Sequence, residues 1–405
     1  MRRQMEAPVL EPLTGEEISL ESSTVNSVPP GLFLMIDSLQ TGGSERQFVA
    51  LSRSIDPKSF RLHLGCIQAK GAFLDELNNV QQFPLGGSLY GLQAGRTLLR
   101  LRSHLRRHTI DIAHAFDFYA NLVLVPAAKL ARVPVIIGSQ RQLGDLLTPA
   151  QSRAQMTMFR WCDAVVCNSR AAANRLVDRG LAECKITVIW NGLPDQAFAE
   201  TAPALPKIPG LLRVGMIARM NTRAKNHSIL LRVAARLQSE FPQTEFVIAG
   251  DGPLRRDLEA EAAHLGLGDR VRFLGDRRDI SAILRSLDLS VLPSASESLS
   301  NAILESMAAG VPVVASDVGG NVELVSEERG ILFPMGDELG LSASLARLLR
   351  DGDLRRQMGR ICRQFTRENF TLERMRKGHE ELYARLLACK RRRAHRRLEK
   401  LQDGS

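Results

Sequence analysis

The feature that most constrains this chain is a series of short apolar runs without polar alternation. LLRVGMI (211–217), FVIAG (246–250), VRFLG (271–275), LSVLP (289–293) and VPVVAS (311–316) follow one another, each separated from the next by a helical pattern. A strand apolar on both faces must be covered on both faces, which is the situation of a parallel sheet flanked by helices. The first half shows the same plan. In GLFLMIDSLQTGGSERQFVALSRSI an apolar run (Leu32 to Ile36) gives way to a Gly-Gly turn, then to Phe48, Leu51 and Ile55 at helical spacing. In the second half Ile229, Leu230, Val233 and Leu237 form the inner side of a helix after a basic loop.

The 405 residues exceed what one ordinary core holds. The Pro-rich stretch NGLPDQAFAETAPALPKIPG divides them, and the expected α/β organisation is two Rossmann-like domains with parallel sheets facing across a cleft. The expected boundaries are a poorly ordered leader over 1–30, a first domain over 31–190, a linker over 191–210 and a second domain over 211–365. A helix over 366–388 and a basic tail over 389–405 follow.

Charge and cysteine usage bound the setting. Of the net charge of +10, KRRRAHRRLEK (390–400) supplies +6, from seven basic residues and one glutamate. Such a tail suits an anionic lipid surface or nucleic acid, or serves as a solvated end. The segment LLRLRSHLRRH (98–108) is basic and amphipathic enough for a membrane surface, with a solvated helix face as the alternative. No run is long and apolar enough to span a bilayer, and MRRQMEAPVLEPLTGEE lacks the apolar core of a signal peptide. The six cysteines are scattered without zinc spacing, as in a protein of a reducing cytosol. The expectation is a cytoplasmic protein with peripheral contact at the inner membrane face.

In open parallel sheets ligands bind beyond the carboxyl ends of the strands. Three loops occupy such positions. The first is Thr41-Gly42-Gly43-Ser44, where glycines permit close backbone approach and the following helix start suits phosphate; a tight turn is the alternative. The second, Arg219 to Lys225, places two cations where a diphosphate leaving group develops charge; surface solvation is its alternative. The third is SASESLSNAILESMAAGVPVVASDVGGNVEL. Here Ser300 is the expected N-cap, Asn301 begins a helix and Gly310 closes it. Glu297 then lies in the loop and Glu305 on the second helical turn, so both carboxylates can face hydroxyls in one cleft while the helix-start amides meet phosphate.

The spacing of Glu297 and Glu305, followed by MAAGVPVVASDVGG, resembles the signature of the retaining family-4 type glycosyltransferases of the GT-B fold. GGSERQ, CDAVVCNSRAAANRL, ITVIWNGL, IARMNTRAKNH, AGDGPLR and VRFLGDRRDI fall in the order that family shows, and together they cover about residues 31–388. The resemblance implies that Glu305 holds a nucleotide ribose, Glu297 meets hydroxyls of the transferred sugar, and Arg219 and Lys225 hold the diphosphate. It implies that Gly42 and Gly43 approach from the other domain and that Ser298, Leu299, Ser300 and Asn301 support phosphate and sugar. Arg277 and Arg278 would frame the base.

The implied donor is a UDP- or GDP-linked sugar, with no cofactor and no metal, because cations and helix dipoles do that work. The implied acceptor is a glycan or lipid-linked glycan in cell-surface polysaccharide or glycolipid synthesis. One departure stands in DIAHAFDFYAN, where the family often has two histidines two residues apart. Here His114 is followed by Phe116 and Asp117, so that His114 or Asp117 takes the sugar-side role or the sugar is held differently. A plain buried histidine is the alternative for His114, and Arg141 is a further candidate facing the acceptor, with a surface arginine as its alternative. Rival functions are an epimerase of nucleotide sugars, which would want a fuller set of acids and histidines in the first domain, and a binding protein with a decayed site. A nucleic-acid binder acting through the tail explains nothing before residue 389, and no specific nucleic acid is expected.

Overall fold

The computed structural model describes residues 28–87 and 91–402. All but the last three residues of the leader, and residues 403–405 of the tail, lie outside the described residues.

Seven strands form the first sheet: β1 (Gly31–Ser38), β2 (Arg61–Gln68), β3 (Val80–Gln82), β4 (Ile110–Ala115), β5 (Val135–Gln140), β6 (Ala164–Cys167) and β7 (Ile186–Val188). Six form the second: β8 (Leu212–Ile217), β9 (Thr244–Ala249), β10 (Val271–Gly275), β11 (Leu289–Leu292), β12 (Val313–Ser316) and β13 (Gly330–Phe333). The orders are β3-β2-β1-β4-β5-β6-β7 and β10-β9-β8-β11-β12-β13. Neighbouring strands run parallel.

In β1 the side chains alternate between two cores. Leu32, Leu34 and Ile36 enter one, Phe33 and Met35 the other, and all five are fully buried. That double burial is why the strand reads as an unbroken apolar run. The strand order reverses between β1 and β4 in one sheet and between β8 and β11 in the other. Loops leave such a point in opposite directions and open a crevice between them. The four strand ends concerned carry Asp37 to Ser44, Phe116 to Asp117, Ala218 to Lys225 and Pro293 to Ser300.

The end of the chain departs from expectation. A helix spans Gly352–Asn369, and a second runs from Leu372 to Gln402, straight through the expected boundary at 388 and most of the basic tail. This last helix leaves the second domain and packs on the first, where Met375, Leu382, Tyr383 and Leu387 complete the core that contains Leu32, Leu34 and Ile36. Burying Met375, Leu382 and Leu387 contributes roughly 1.5–3 kcal/mol each. The chain therefore crosses between the domains twice, and the crossings pair: Leu193 N donates to Phe370 O, and Leu372 N to Leu193 O, both at 2.8 Å.

Candidate functional site

Between the domains lies a cleft of about 470 Å³. On the second-domain wall, the loop after β8 makes a short turn through Arg223–Lys225 and passes through a left-handed Asn226 (φ 55°) into the helix His227–Leu237. The loop after β11 ends at the helix Asn301–Ala308, with the Ser300 hydroxyl accepting from Ile303 N at 3.3 Å. Glu297 sits in that loop and Glu305 on the helix. The double glycine that follows β12 explains the loop's shape. Gly319 has φ 49°, and a Cβ at Gly319 or Gly320 would run into the carbonyls of Glu297 and Ser298. Gly320 N donates to Glu297 O at 3.1 Å, so only glycines let this turn close on the Glu297 backbone.

Both glutamates of this wall are paired. Lys225 Nζ donates to Glu297 Oε1 at 2.5 Å, and Arg46, from the first domain, forms an ion pair with Glu305. Arg219 Nη1 donates to the Thr41 carbonyl at 2.5 Å. The structure thus brings Arg219, Lys225, Glu297 and Glu305 together with Gly42, Gly43 and the segment Ser298–Asn301 in one cleft. Polar contacts hold the two walls against each other. Asn301 Nδ2 donates to Gly43 O at 3.0 Å, Asn191 Nδ2 to Asn301 Oδ1 at 2.7 Å, and the Ser298 hydroxyl to Asn168 Oδ1 at 2.5 Å. A Cβ on Gly43 would lie 2.9 Å from Asn301 Nδ2, so glycine permits this approach.

The first-domain wall is built differently. Asp37, Glu45 and Asp117 converge with Arg141 on the ends of β1, β4 and β5. Asp37 accepts from Tyr119 N (3.2 Å) and Ala120 N (2.6 Å) and so caps the helix Phe118–Ala131. Glu45 and Asp117 are half-buried and have no ion-pair partner within 4.0 Å among the described residues. Burial pushes the Glu45 carboxyl up to about 7, and the Asp117 charge adds to the push. Burial raises Asp117 to about 6 against the opposing pull of Arg141 and a hydrogen bond from Ser44. Asp37 is raised well above the usual carboxylate range, by burial and then by the Asp117 charge. Burial lowers Arg141 to about 10, although both acids oppose it.

Two expectations need correction. His114 is fully buried, with Nδ1 2.7 Å from the Tyr383 hydroxyl and Nε2 2.8 Å from the Ser139 hydroxyl. Burial depresses its basicity well below the ordinary value. It lines neither cleft wall, because β4 is covered on both faces, and it fits the buried-histidine alternative. Phe116 is also fully buried, under the Arg141 guanidinium, whose carbon lies 4.8 Å from the ring centre. Arg278 is exposed and outside the cleft lining; its neighbour Arg277 lines the cleft, paired with Asp279 at 2.5 Å. Sequence reasoning passed over Glu45 and Arg46, although GGSERQ contains them, and Asp37, whose signal was its place at a strand end. Asn168 and Asn191 lay inside the motifs CNSR and WNGL without an assigned role.

Residues 41–196 match the family described as Glycosyltransferase Family 4, and residues 212–351 match Glycosyl transferases group 1. Among relatives, a D-inositol 3-phosphate glycosyltransferase of Salinispora tropica is 32% identical over 77% of this chain and 71% of its own length. A UDP-Gal:alpha-D-GlcNAc-diphosphoundecaprenol alpha-1,3-galactosyltransferase of Escherichia coli is 28% identical over 73% and 80% respectively. The solved structure of Anabaena HepE in complex with UDP-glucose superposes with a TM-score of 0.75 at 21% identity, covering 87% of this chain and 99% of that one.

Proposed function

The chain belongs to the family-4 glycosyltransferases of the GT-B fold, and on that premise we propose that it moves a sugar from a nucleotide-diphospho-sugar, UDP- or GDP-linked, to a glycan or lipid-linked acceptor with retention of configuration. The observation that carries this reading is the convergence of Arg219, Lys225, Glu297 and Glu305 on the start of the helix Asn301–Ala308, facing the glycine loop across one cleft. The relatives' printed names favour UDP over GDP as the donor nucleotide.

In this reading Glu305 exchanges Arg46 for the ribose hydroxyls. The Lys225 ammonium, fixed by Glu297, and the Arg219 guanidinium stabilise the charge that develops on the leaving diphosphate, as does the helix start. Such preformed cations are held in place before charge develops, by Glu297 for Lys225 and by the Thr41 carbonyl for Arg219. No metal takes part in this scheme. Glu297 fixes hydroxyls of the transferred sugar, the acceptor hydroxyl attacks on the face that the diphosphate leaves, and the departing phosphate oxygen takes its proton. The epimerase rival gains the carboxylates of the first domain but not the histidine, since His114 is in the core.

The same reading puts the acceptor near a membrane. No described helix is long and apolar enough to cross one. The helix Leu92–Arg107, however, exposes Leu92 and Leu99 beside Arg96, Arg100, Arg106 and Arg107 on its outer side. Such a face suits an anionic lipid surface, and Arg391–Arg393 and Arg396 are likewise exposed. Pelleting with liposomes that contain an anionic phospholipid, with and without residues 390–405, tests the tail: unchanged pelleting removes its role as an anchor.

The test of the whole reading is a panel of nucleotide sugars, with and without EDTA, scored by thermal shift and by slow nucleotide release without acceptor. One UDP- or GDP-sugar is expected to stabilise the protein and to be hydrolysed, indifferent to EDTA. Silence from the whole panel would move the chain to the binding proteins with a decayed site.

A further inference from the structure

A second cavity, of about 830 Å³, opens beside the donor cleft beyond the ends of β1, β2 and β4. The two share Ser44, Glu45, Gln142 and Leu146, so a molecule in one reaches a molecule in the other. Its lining contains Asp37, Glu45 and Asp117, the rings of Phe118 and Tyr119, and four glutamines; no lysine or arginine lines it among the described residues. An anionic group entering here would lose its water next to carboxylates, and the one cation near its inner end, Arg141, is already offset by Asp117 and Glu45.

Against β5, a chamber of about 10 Å³ shares Asp117, Phe118, Gln142 and Leu147 with this cavity and is lined also by Gln140 and Arg141. That is room for one water-sized oxygen. Gln140 is 1% exposed and Arg141 8%, and each is fixed by its other atoms. Gln140 Nε2 donates to Gln142 O at 2.5 Å, and Arg141 Nη2 to Asn191 Oδ1 at 2.6 Å. Gln140 Oε1 and Arg141 Nε are left without partners. One is an acceptor and the other a donor, which is what a single hydroxyl satisfies, giving its proton to one and taking a hydrogen bond from the other. Each such orphan is unfavourable until something fills it.

We infer that this cavity takes the acceptor as an uncharged sugar ring, with one ring hydroxyl seated between Gln140 Oε1 and Arg141 Nε and others facing Glu45 and Asp117; the inference rests on the transferase reading above. Asp37 is spent on the helix start, so Glu45 and Asp117 are the carboxylates free to receive hydroxyl protons. Their raised affinity for protons keeps the wall closer to neutral, which favours hydroxyls over an ammonium group. Gln140 and Arg141 are specificity-determining residues in this arrangement, and an acceptor whose entering ring itself bears a phosphate is excluded.

The experiment is saturation-transfer NMR on the full chain loaded with UDP, using the methyl glycosides of glucose, galactose and N-acetylglucosamine and their 6-phosphates as probes. At least one neutral glycoside is expected to bind about tenfold or more tightly than its 6-phosphate. Gln140→Leu is expected to weaken that glycoside about tenfold, with UDP affinity as the control that the variant is folded. If that variant does not fold, Glu45→Gln is expected to narrow the gap between the neutral and phosphorylated probes. Equal or tighter binding of the 6-phosphates, or binding of no glycoside by the UDP-loaded protein, overturns the inference and leaves the transferase reading standing. Failure of UDP and every nucleotide sugar to bind removes that reading instead.

Discussion

In the second domain Glu297 lies against the Lys225 ammonium and Glu305 against Arg46, so both glutamates facing the cleft arrive with a cation beside them. In the first domain Asp37, Glu45 and Asp117 crowd one cavity with only the buried Arg141 to offset them, and all three hold protons more tightly than usual. The contrast separates two tasks. A wall of preset ion pairs suits a fixed, highly charged ligand whose charge grows during reaction. A wall of unpaired acids suits a neutral, hydroxyl-rich one.

The largest expected effect tests the charged wall. Lys225→Ala or Glu305→Ala should lower turnover of the nucleotide sugar about 10²–10³-fold, the size associated with losing one preorganised electrostatic group. Steady-state kinetics with near wild-type rates in either variant would break the comparison at its root. Next in size is a test of what supports the acidic wall. Tyr383→Phe strips one of the two partners from buried His114 and should cost about 1–3 kcal/mol in denaturant unfolding, while UDP affinity stays as it was. A drop in UDP affinity would mean that the two walls are not independently supported.

Smaller still is the effect of the latch. Arg46 occupies Glu305 in the free protein, and a partly exposed ion pair is worth about 0.2–1 kcal/mol. Arg46→Ala should therefore tighten UDP binding up to about five-fold by calorimetry; weaker binding would make Arg46 part of the donor site and not its competitor.

A last effect is one of pH. A carboxyl whose folded pKa is raised holds its proton between its ordinary value and the raised one, and stability from that proton is lost as pH climbs through this window. For Glu45 the window runs from the usual glutamate range up to about 7. Glu45→Gln should raise the melting temperature by a few degrees at pH 8 and by less at pH 5. A constant difference across that range would show that Glu45 carries no excess proton.

The two walls also differ in how far the sequence announced them. The second-domain wall was readable because its parts sit in contiguous stretches with recognisable local physics: a serine cap, a helix start, and a Gly-Gly turn shaped by the backbone it closes upon. Strands with both faces buried announced the parallel sheets as plainly. The acidic wall comes from single polar residues at separate strand ends. Asp37, Glu45 and Gln140 had no role assigned from the sequence, and only the strand order brings them together. His114 misled for a related reason, since one residue in an apolar strand does not say whether it faces a ligand or a core. The last helix had a readable apolar face but no address, and nothing in its pattern said that the partner was the domain at the other end of the chain.

That return has a consequence for how the protein is made. Strand β7 ends at Val188, yet the core behind β1 waits for Met375, Leu382, Tyr383 and Leu387. A ribosome adding 5–20 residues per second takes roughly 10–40 s to supply those intervening residues. By the end of that interval the second domain has all its strands while the first still shows water an apolar face on β1, β4 and β5. The first domain to be synthesised is therefore the last to finish folding, and its open face is where a chaperone would have work to do.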